Sequence, residues 1–358
     1  MMKTDKNINK IGIKEIARLA NVSIGTVDRV IHNRGQVAPE TRQMVLQIIE
    51  SSNYTPNIVA RTLSSKKETN IAVVIPDSIN NFYWSLPLKG IQKAAEEIVH
   101  FNFNVHILTF DYSDENSFIQ KTNEAIKLNP KGIVFSPLFE SASYNFINVC
   151  QDKNIPYILL DVSLNNSKHV SYFGQDSVQS GKVAAKLLKT SLNINNPIIF
   201  ILKPIIKIAS TYHSDLRQKG FMEYLQKNIP NVKVCDNIID ISNEENSNNK
   251  LKEIFKIHMP HGIFVPNSRV YHIAQWLYNN NYKGIVLIGY DLIEQNAYWM
   301  EKEVIDYLIC QKPEDQGYKS IMAIFNFLTY KKNIENKYYS PIDIIIKENY
   351  KYYINNSI

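Results

Sequence analysis

Cysteine is scarce in this chain of 358 residues: Cys150, Cys235 and Cys310 stand far apart, with no CxxC pair and no Cys/His spacing. A disulfide framework and a zinc site are not expected, and a reducing, cytoplasmic setting is. No apolar stretch reaches the ~18 residues that a membrane helix needs. The start, Met1-Met2-Lys3-Thr4-Asp5-Lys6-Asn7, has no apolar segment, so no secretory signal is expected. Phosphate-binding glycine loops are missing, and neither Ser136 nor Ser210 sits on a nucleophile elbow. His258 and His261 flank Pro260, so they do not share a helical face as metal ligands would. Neither a cofactor nor a catalytic centre is expected.

Arginine is the most unevenly missing residue. Arg18, Arg29, Arg34, Arg42 and Arg61 lie in the first 69 positions, and only Arg217 and Arg269 follow. Those 69 residues carry eleven Lys and Arg against six Asp and Glu, a balance of +5 within a total of +6. The remainder is nearly neutral. A small basic module on a neutral body suggests a nucleic-acid reader, although a solvated basic terminus has the same charge.

Three short helices are expected in the basic module. Ile13, Ile16, Ala17 and Ala20 share one helical face. Ser23 is an N-cap for a second helix from Ile24 to about His32, with Val27, Val30 and Ile31 inward and Asn33-Arg34-Gly35 as its stop. Pro39 and Glu40 fit the first turn of a third helix carrying Val45, Ile48 and Ile49. Two short helices joined tightly, with a supporting third, form a helix-turn-helix pattern. The exposed face of the second helix then carries Ile24, Gly25, Thr26, Asp28 and Arg29. Arginine can pair with a guanine edge and threonine can hold a phosphate.

The stretch from Ile13 to Ile31, with Val37-Ala-Pro-Glu-Thr-Arg42 and Asn53-Tyr-Thr-Pro-Asn57, resembles the headpiece of the lactose-repressor (LacI/GalR-type) family of transcriptional regulators. Ala60-Arg61-Thr62-Leu63 resembles the family's hinge helix. The resemblance implies DNA contacts from Ser23, Ile24, Gly25, Thr26, Arg29 and Asn33, with Ile24, Gly25 and Arg29 in the major groove. Ala60, Arg61 and Leu63 fall in the hinge. A hinge from Asn57 to about Ser64 is too short to stand alone as a helix, but it can fold over DNA with Leu63 as a minor-groove wedge. A flexible linker is the other reading. Asp28 and His32 depart from the family's usual Ser and Asn, which leaves the operator sequence open.

From residue 70 on, β-branched runs alternate with amphipathic helices. Strands are expected at Ile71–Ile75, Asn104–Thr109, Gly132–Ser136, Tyr157–Asp161, Ile198–Ile201, Gly262–Val265 and Ile285–Gly289, and helices between them. The Asn-rich stretch Ser242–Lys250 reads as a solvated loop. The pattern implies α/β lobes with parallel sheets and helices on both faces. The fold class expected is thus a small all-α helix-turn-helix headpiece and hinge, then a two-lobed α/β domain resembling periplasmic sugar-binding proteins. The divisions are residues 1–56, 57–69 and 70–358, with lobes near 71–165 plus 312–335 and 171–308 plus 338–354.

Ligands of open α/β sheets sit at the carboxyl ends of strands. Residues expected there are Phe82, Tyr83, Trp84, Asp111, Asp161 and Asp291. Arg217, Asn267 and Gln311 join them at positions that resemble the family's. Carboxylates, amides, an arginine and aromatic faces suit a polyhydroxylated ring. Core packing is the other reading for the three aromatics, and a loop cap for Asp111. Val162 and Ser268 stand where sugar binders of this fold often have Arg and Asp, so a non-sugar effector stays open.

The function expected is a homodimeric regulator, most simply a repressor. It reads a pseudo-palindromic DNA operator and senses a mono- or oligosaccharide between its lobes, with no membrane partner. A solute-binding protein without a regulatory role and an enzyme with a DNA-binding appendage are the rival readings.

Overall fold

The structure is a computed structural model that describes residues 12–31, 35–52, 68–79, 82–192, 194, 196–206, 212–331 and 334–355. The chain divides into two compact units, Met1–Lys66 and Lys67–Ile358.

The first unit contains α1 (Ile13–Leu19), α2 (Ile24–Ile31) and α3 (Pro39–Ser51). Ile16, Ala17, Ala20, Val27, Val30 and Val45 form its buried core, the inward face expected from the spacing. Pro39 opens α3, where its missing N–H costs nothing. The expected hinge, with Ala60, Arg61 and Leu63, lies outside the described residues, as do His32 and Asn33.

The second unit holds two sheets of six strands. Sheet one comprises β1 (Thr69–Pro76), β2 (Phe103–Phe110), β3 (Gly132–Phe135), β4 (Tyr157–Leu160), β5 (Ser171–Gly174) and β11 (Lys337–Tyr339). Their order is β11-β5-β4-β3-β1-β2, all parallel. Sheet two comprises β6 (Ile198–Ile205), β7 (Lys233–Asp240), β8 (Gly262–Phe264), β9 (Val286–Tyr290), β10 (Tyr307–Cys310) and β12 (Asp343–Ile345). Its order, β12-β10-β9-β8-β6-β7, repeats the first, except that β12 runs antiparallel. In each lobe the order reverses beside the first strand, and such a reversal opens a crevice at the carboxyl ends.

Alternation along the central strands builds a core on both faces of each sheet. Ile71, Val73 and Ile75 pack on Ile91, Ala94 and Ile98 of α4 (Ser85–Ile98), with Ile321 and Ile324 of the long helix Pro313–Tyr330. Ala72 and Val74 face Phe118 and Ala125 of α5 (Glu115–Lys127), with Phe146 and Ile147 of α6 (Glu140–Asp152). In sheet two, Ile199 and Ile201 pack on Ala184, Ala185 and Leu188 of α7 (Ser177–Ser191) and on Phe221 and Leu225 of α8 (Tyr212–Asn228). Phe200 and Leu202 face α9 (Glu244–Ile257) and α10 (Val270–Asn279).

Two expectations need correction. Ser242–Lys250 is not a loop: α9 begins at Glu244, because the Asn243 side chain accepts from the Asn246 N–H at 2.9 Å and two glutamates occupy the first turn. Ser171–Gly174 and Tyr338–Tyr339 fall within the expected second lobe, yet both belong to strands that pair in sheet one. The chain therefore crosses between lobes after Gly174, after Cys310 and after Tyr339. Gln175 ties the three crossings together: its Nε2 donates to the Cys310 carbonyl at 3.1 Å and the Pro341 carbonyl at 3.0 Å.

Each lobe also contains one very close helix crossing. A methyl on Gly181 of α7 would stand 1.9 Å from the Arg217 carbonyl of α8, and one on Gly220 would stand 1.8 Å from the Val178 carbonyl. Gly181→Ala must push α8 outward. The expected cost is about 1–3 kcal/mol, typical of an overpacked contact. Thermal denaturation of the variant checks this, and an unchanged melting temperature would contradict it. Because α8 carries Arg217, the same variant should also bind effector more weakly.

Candidate functional site: a DNA-reading helix and an interlobe cleft

On the headpiece, Ser23 starts α2 by accepting from the Thr26 N–H at 3.1 Å, and the two hydroxyls lie 2.9 Å apart. Val27 and Val30 are buried, which turns Ile24 (46% exposed), Gly25 and Arg29 outward. Thr26 is half-buried. An ideal Cβ on Gly25 would lie 4.0 Å from Arg29 Nη2, so the guanidinium extends over the first turn of the helix. Arg18, by contrast, is engaged by Glu15 at 2.6 Å on α1.

In the second unit, a cleft of about 60 Å³ lies where the carboxyl ends of both sheets meet. Lobe one lines it with Tyr83, Trp84, Tyr112, Leu138 and Asp161; lobe two with His213, Ser214, Arg217, Asn267, Ser268, Arg269 and Asp291. Gln311 lies on the second crossing between them. Fold symmetry explains the two aspartates. Asp161 follows β4 with φ 68° and Asp291 follows β9 with φ 64°. Each is the fourth strand of its order, and each turn uses a left-handed conformation that Asp tolerates.

Contacts within and between the lobes hold the acids in place. The Tyr83 hydroxyl donates to Asp161 Oδ1 at 2.8 Å, and His213 Nε2 lies 3.4 Å from Oδ2 across the cleft. Burial by itself pushes the Asp161 carboxyl up. The charge and contact of His213, with the Tyr83 bond, outweigh that and hold it below the usual carboxylate range. Asp291 accepts from Gln311 Nε2 at 3.1 Å. Burial raises its carboxyl to about 6, against the opposing pull of Arg217 and Gln311. Arg217 stacks on Tyr290, 3.8 Å from the ring centre, and its Nη1 donates to the Pro266 carbonyl at 3.1 Å. Asn267 closes the loop after β8: its Nδ2 donates to the Pro204 carbonyl and its Oδ1 accepts from the Arg269 N–H, both at 3.0 Å.

Seven of the nine expected ligand residues meet in this cleft: Tyr83, Trp84, Asp161, Arg217, Asn267, Asp291 and Gln311. Phe82 begins the turn that carries Tyr83 and is 44% exposed outside the cleft. Asp111 closes its own loop, accepting from the backbone and hydroxyl of Ser113 at 2.8 Å each, and Tyr112 enters the cleft instead. The sequence reading also missed Leu138, His213, Ser214, Ser268 and Arg269 as lining residues. Arg269 had a signal, as one of two arginines after position 69. Asn296, fully buried, positions the cleft: its Nδ2 donates to the carbonyls of Ser268, Tyr290 and Asp291 at 2.8–3.0 Å. Among the described residues there is no cluster able to hold a metal and no helix long and apolar enough to cross a membrane.

A helix-turn-helix unit followed by two lobes closing on a polar cleft defines a class of ligand-responsive DNA-binding regulators. Comparison with known proteins agrees. Residues 12–57 match the model for bacterial regulatory proteins of the lacI family, and residues 71–332 match the periplasmic binding protein domain. The chain is 37% identical over 227 residues to catabolite control protein A of Streptococcus mutans, spanning 61% of this chain and 63% of that one. It is 27% identical over 248 residues to the Staphylococcus epidermidis protein of that name, spanning 63% and 73%. A Bacteroides fragilis structure assigned as a LacI transcriptional regulator superposes with a TM-score of 0.74 at 30% identity, covering 80% of this chain and all of that one. A glucose-galactose binding protein from Geobacillus stearothermophilus shares the fold at 21% identity, with a TM-score of 0.69 over 79% of this chain and 99% of that one. The chain belongs to the LacI family of transcriptional regulators.

Proposed function

We propose that the protein is a homodimeric regulator, acting in the cytoplasm, whose affinity for a pseudo-palindromic operator is set by a carbohydrate held between its lobes. The observation that carries this reading is the cleft itself. Tyr83 and Asp161 from one lobe face His213, Arg217 and Asp291 from the other, so any ligand there is also a tie between lobes. Hydroxyls of a sugar ring match the carboxylates and amides, and its C–H faces match Tyr83 and Trp84. The closed cleft is far smaller than the ~300 Å³ at which ligand pockets begin. Ligand entry therefore requires the lobes to part about the three crossings, and capture closes them.

On the DNA side, Arg29 reads a base edge while Ser23 and Thr26 sit at the start of the reading helix, near phosphate. Two headpieces read two half-sites. Asn33 and the hinge residues Ala60, Arg61 and Leu63 complete the contact set by resemblance. Relief of repression by the sugar is the default direction. A screen of mono- and oligosaccharides against the full chain by thermal shift tests the sensing half. A stabilising sugar whose effect disappears in Asp161→Asn supports the reading. A stabilising sugar indifferent to Asp161, or no response to any carbohydrate, overturns it.

A further inference from the structure

The two arginines of the cleft differ in how their charge is balanced. Both are more than nine-tenths buried: Arg217 is 4% exposed and Arg269 6%. Each has an enclosed N–H with no acceptor, Nε of Arg217 and Nη2 of Arg269. Arg217 has partial compensation, since its Nη1 meets the Pro266 carbonyl and its charge acts on Asp291. Arg269 has no such partner among the described residues. Its guanidinium faces the ring of Tyr112 from the opposite lobe, 5.3 Å from the centroid, and makes no ion pair. Asp161 is already taken up by Tyr83 and His213. The other titratable groups at this wall, His272 and Tyr271, offer no anion: burial and the charge of Arg269 push the His272 imidazole down to about 4, and burial pushes the Tyr271 phenol up.

A buried guanidinium without a counterion is costly, and structures keep one where something else supplies the charge. Arginine's planar fork matches a carboxylate in two parallel bonds. With Asp161 and Asp291 in the same cleft, one unbalanced cation suits a single negative charge better than a dianion. We infer that the effector is a monoanionic sugar acid, with its ring between Tyr83, Trp84 and the two aspartates and its carboxylate on Arg269. This deepens the carbohydrate reading and rests on it.

The test uses the full chain and two readouts, with D-glucuronate and D-galacturonate set against D-glucose, D-galactose and D-glucose 6-phosphate in calorimetric titrations at neutral pH. A uronate should bind about tenfold to a hundredfold more tightly than its neutral parent, the value of a charged hydrogen-bonded pair. Arg269→Gln should erase that advantage, so that a uronate and its neutral parent bind alike, and Arg269→Lys should restore part of it. The ligand-free melting temperature of Arg269→Gln should be no lower than that of the parent. A neutral sugar that binds as well as its acid overturns the inference while the carbohydrate reading stands, and preference for the phosphate ester overturns it in favour of a dianion. A uronate preference that survives Arg269→Gln removes the assigned residue. A clear loss of ligand-free stability in Arg269→Gln overturns it independently, because the guanidinium would then be a structural tie. Binding of no carbohydrate at all refutes both readings.

Discussion

Arg29→Ala should lose sequence-specific DNA binding while the chain stays folded. Arg29 is exposed on α2, opposite the buried Val27 and Val30, so its removal leaves the headpiece core intact. A bidentate contact to a guanine edge discriminates by about 1–3 kcal/mol, which is roughly 5–150-fold per half-site and compounds across two half-sites. A side chain that only neutralises a phosphate weakens all sequences alike and lowers the slope of log affinity on log salt by about one. The two roles separate in fluorescence anisotropy at fixed salt, using a duplex selected from a random pool and a scrambled duplex. Loss on the selected duplex alone identifies a base reader. Equal loss on both would make Arg29 a phosphate contact. Arg18→Ala is the matching control, because Glu15 already occupies that guanidinium.

Asp291→Asn should stabilise the ligand-free protein and weaken effector binding. Burial raises the Asp291 carboxyl from 3.8 to about 6, so the folded state holds its proton more tightly than the unfolded chain does. Above pH 6 the buried charge therefore destabilises the fold by about 3 kcal/mol, since each tenfold change in proton affinity is ~1.36 kcal/mol. The penalty shrinks as pH falls from 6 towards 4, close to the unfolded-chain value of 3.8, and is gone only below it, where the acid is protonated in both states. The stability gain of the Asn variant should be full at pH 7 and nearly gone at pH 4. Asparagine keeps an acceptor for Gln311 and tolerates the left-handed backbone at this position. Denaturant unfolding at the two pH values measures the difference. A variant less stable than the parent at pH 7 would show that the charge supports the fold rather than a ligand.

What was legible in the sequence follows from where each residue sits. The central strands announce themselves because both faces are buried: Ile71–Ile75 and Ile198–Ile201 are unbroken apolar runs. Short or half-solvated strands do not. Lys233–Asp240, at the edge of sheet two, is charged at three of its four exposed positions, and Ser171–Gly174 is only four residues long. Reading Ser242–Lys250 as a loop mistook a capped first turn for solvated chain. Of the three crossings expected near residues 165–171, 308–312 and 335–338, the second falls after Cys310 as expected, and the other two come a few residues later, because nothing local marks which sheet a short strand joins. In the cleft, the rule of strand carboxyl ends found Asp161 and Asp291, whose left-handed turns aim them inward. It failed by one residue at Asp111 and Tyr112, where a serine captures the carboxylate and sends the tyrosine to the site. His213 and Ser214 precede Arg217 on the same helix, and only the geometry of α8 brings them to the cleft.

The central claim is that occupancy of the cleft changes affinity for DNA. Anisotropy titration of the full chain on its selected duplex, at one salt concentration, with and without the sugar that stabilises it, tests this directly. The account predicts a shift of about 5–150-fold, the usual range of allosteric coupling of 1–3 kcal/mol. The shift should be abolished by Asp161→Asn. Equal affinity with the cleft saturated and empty would contradict it.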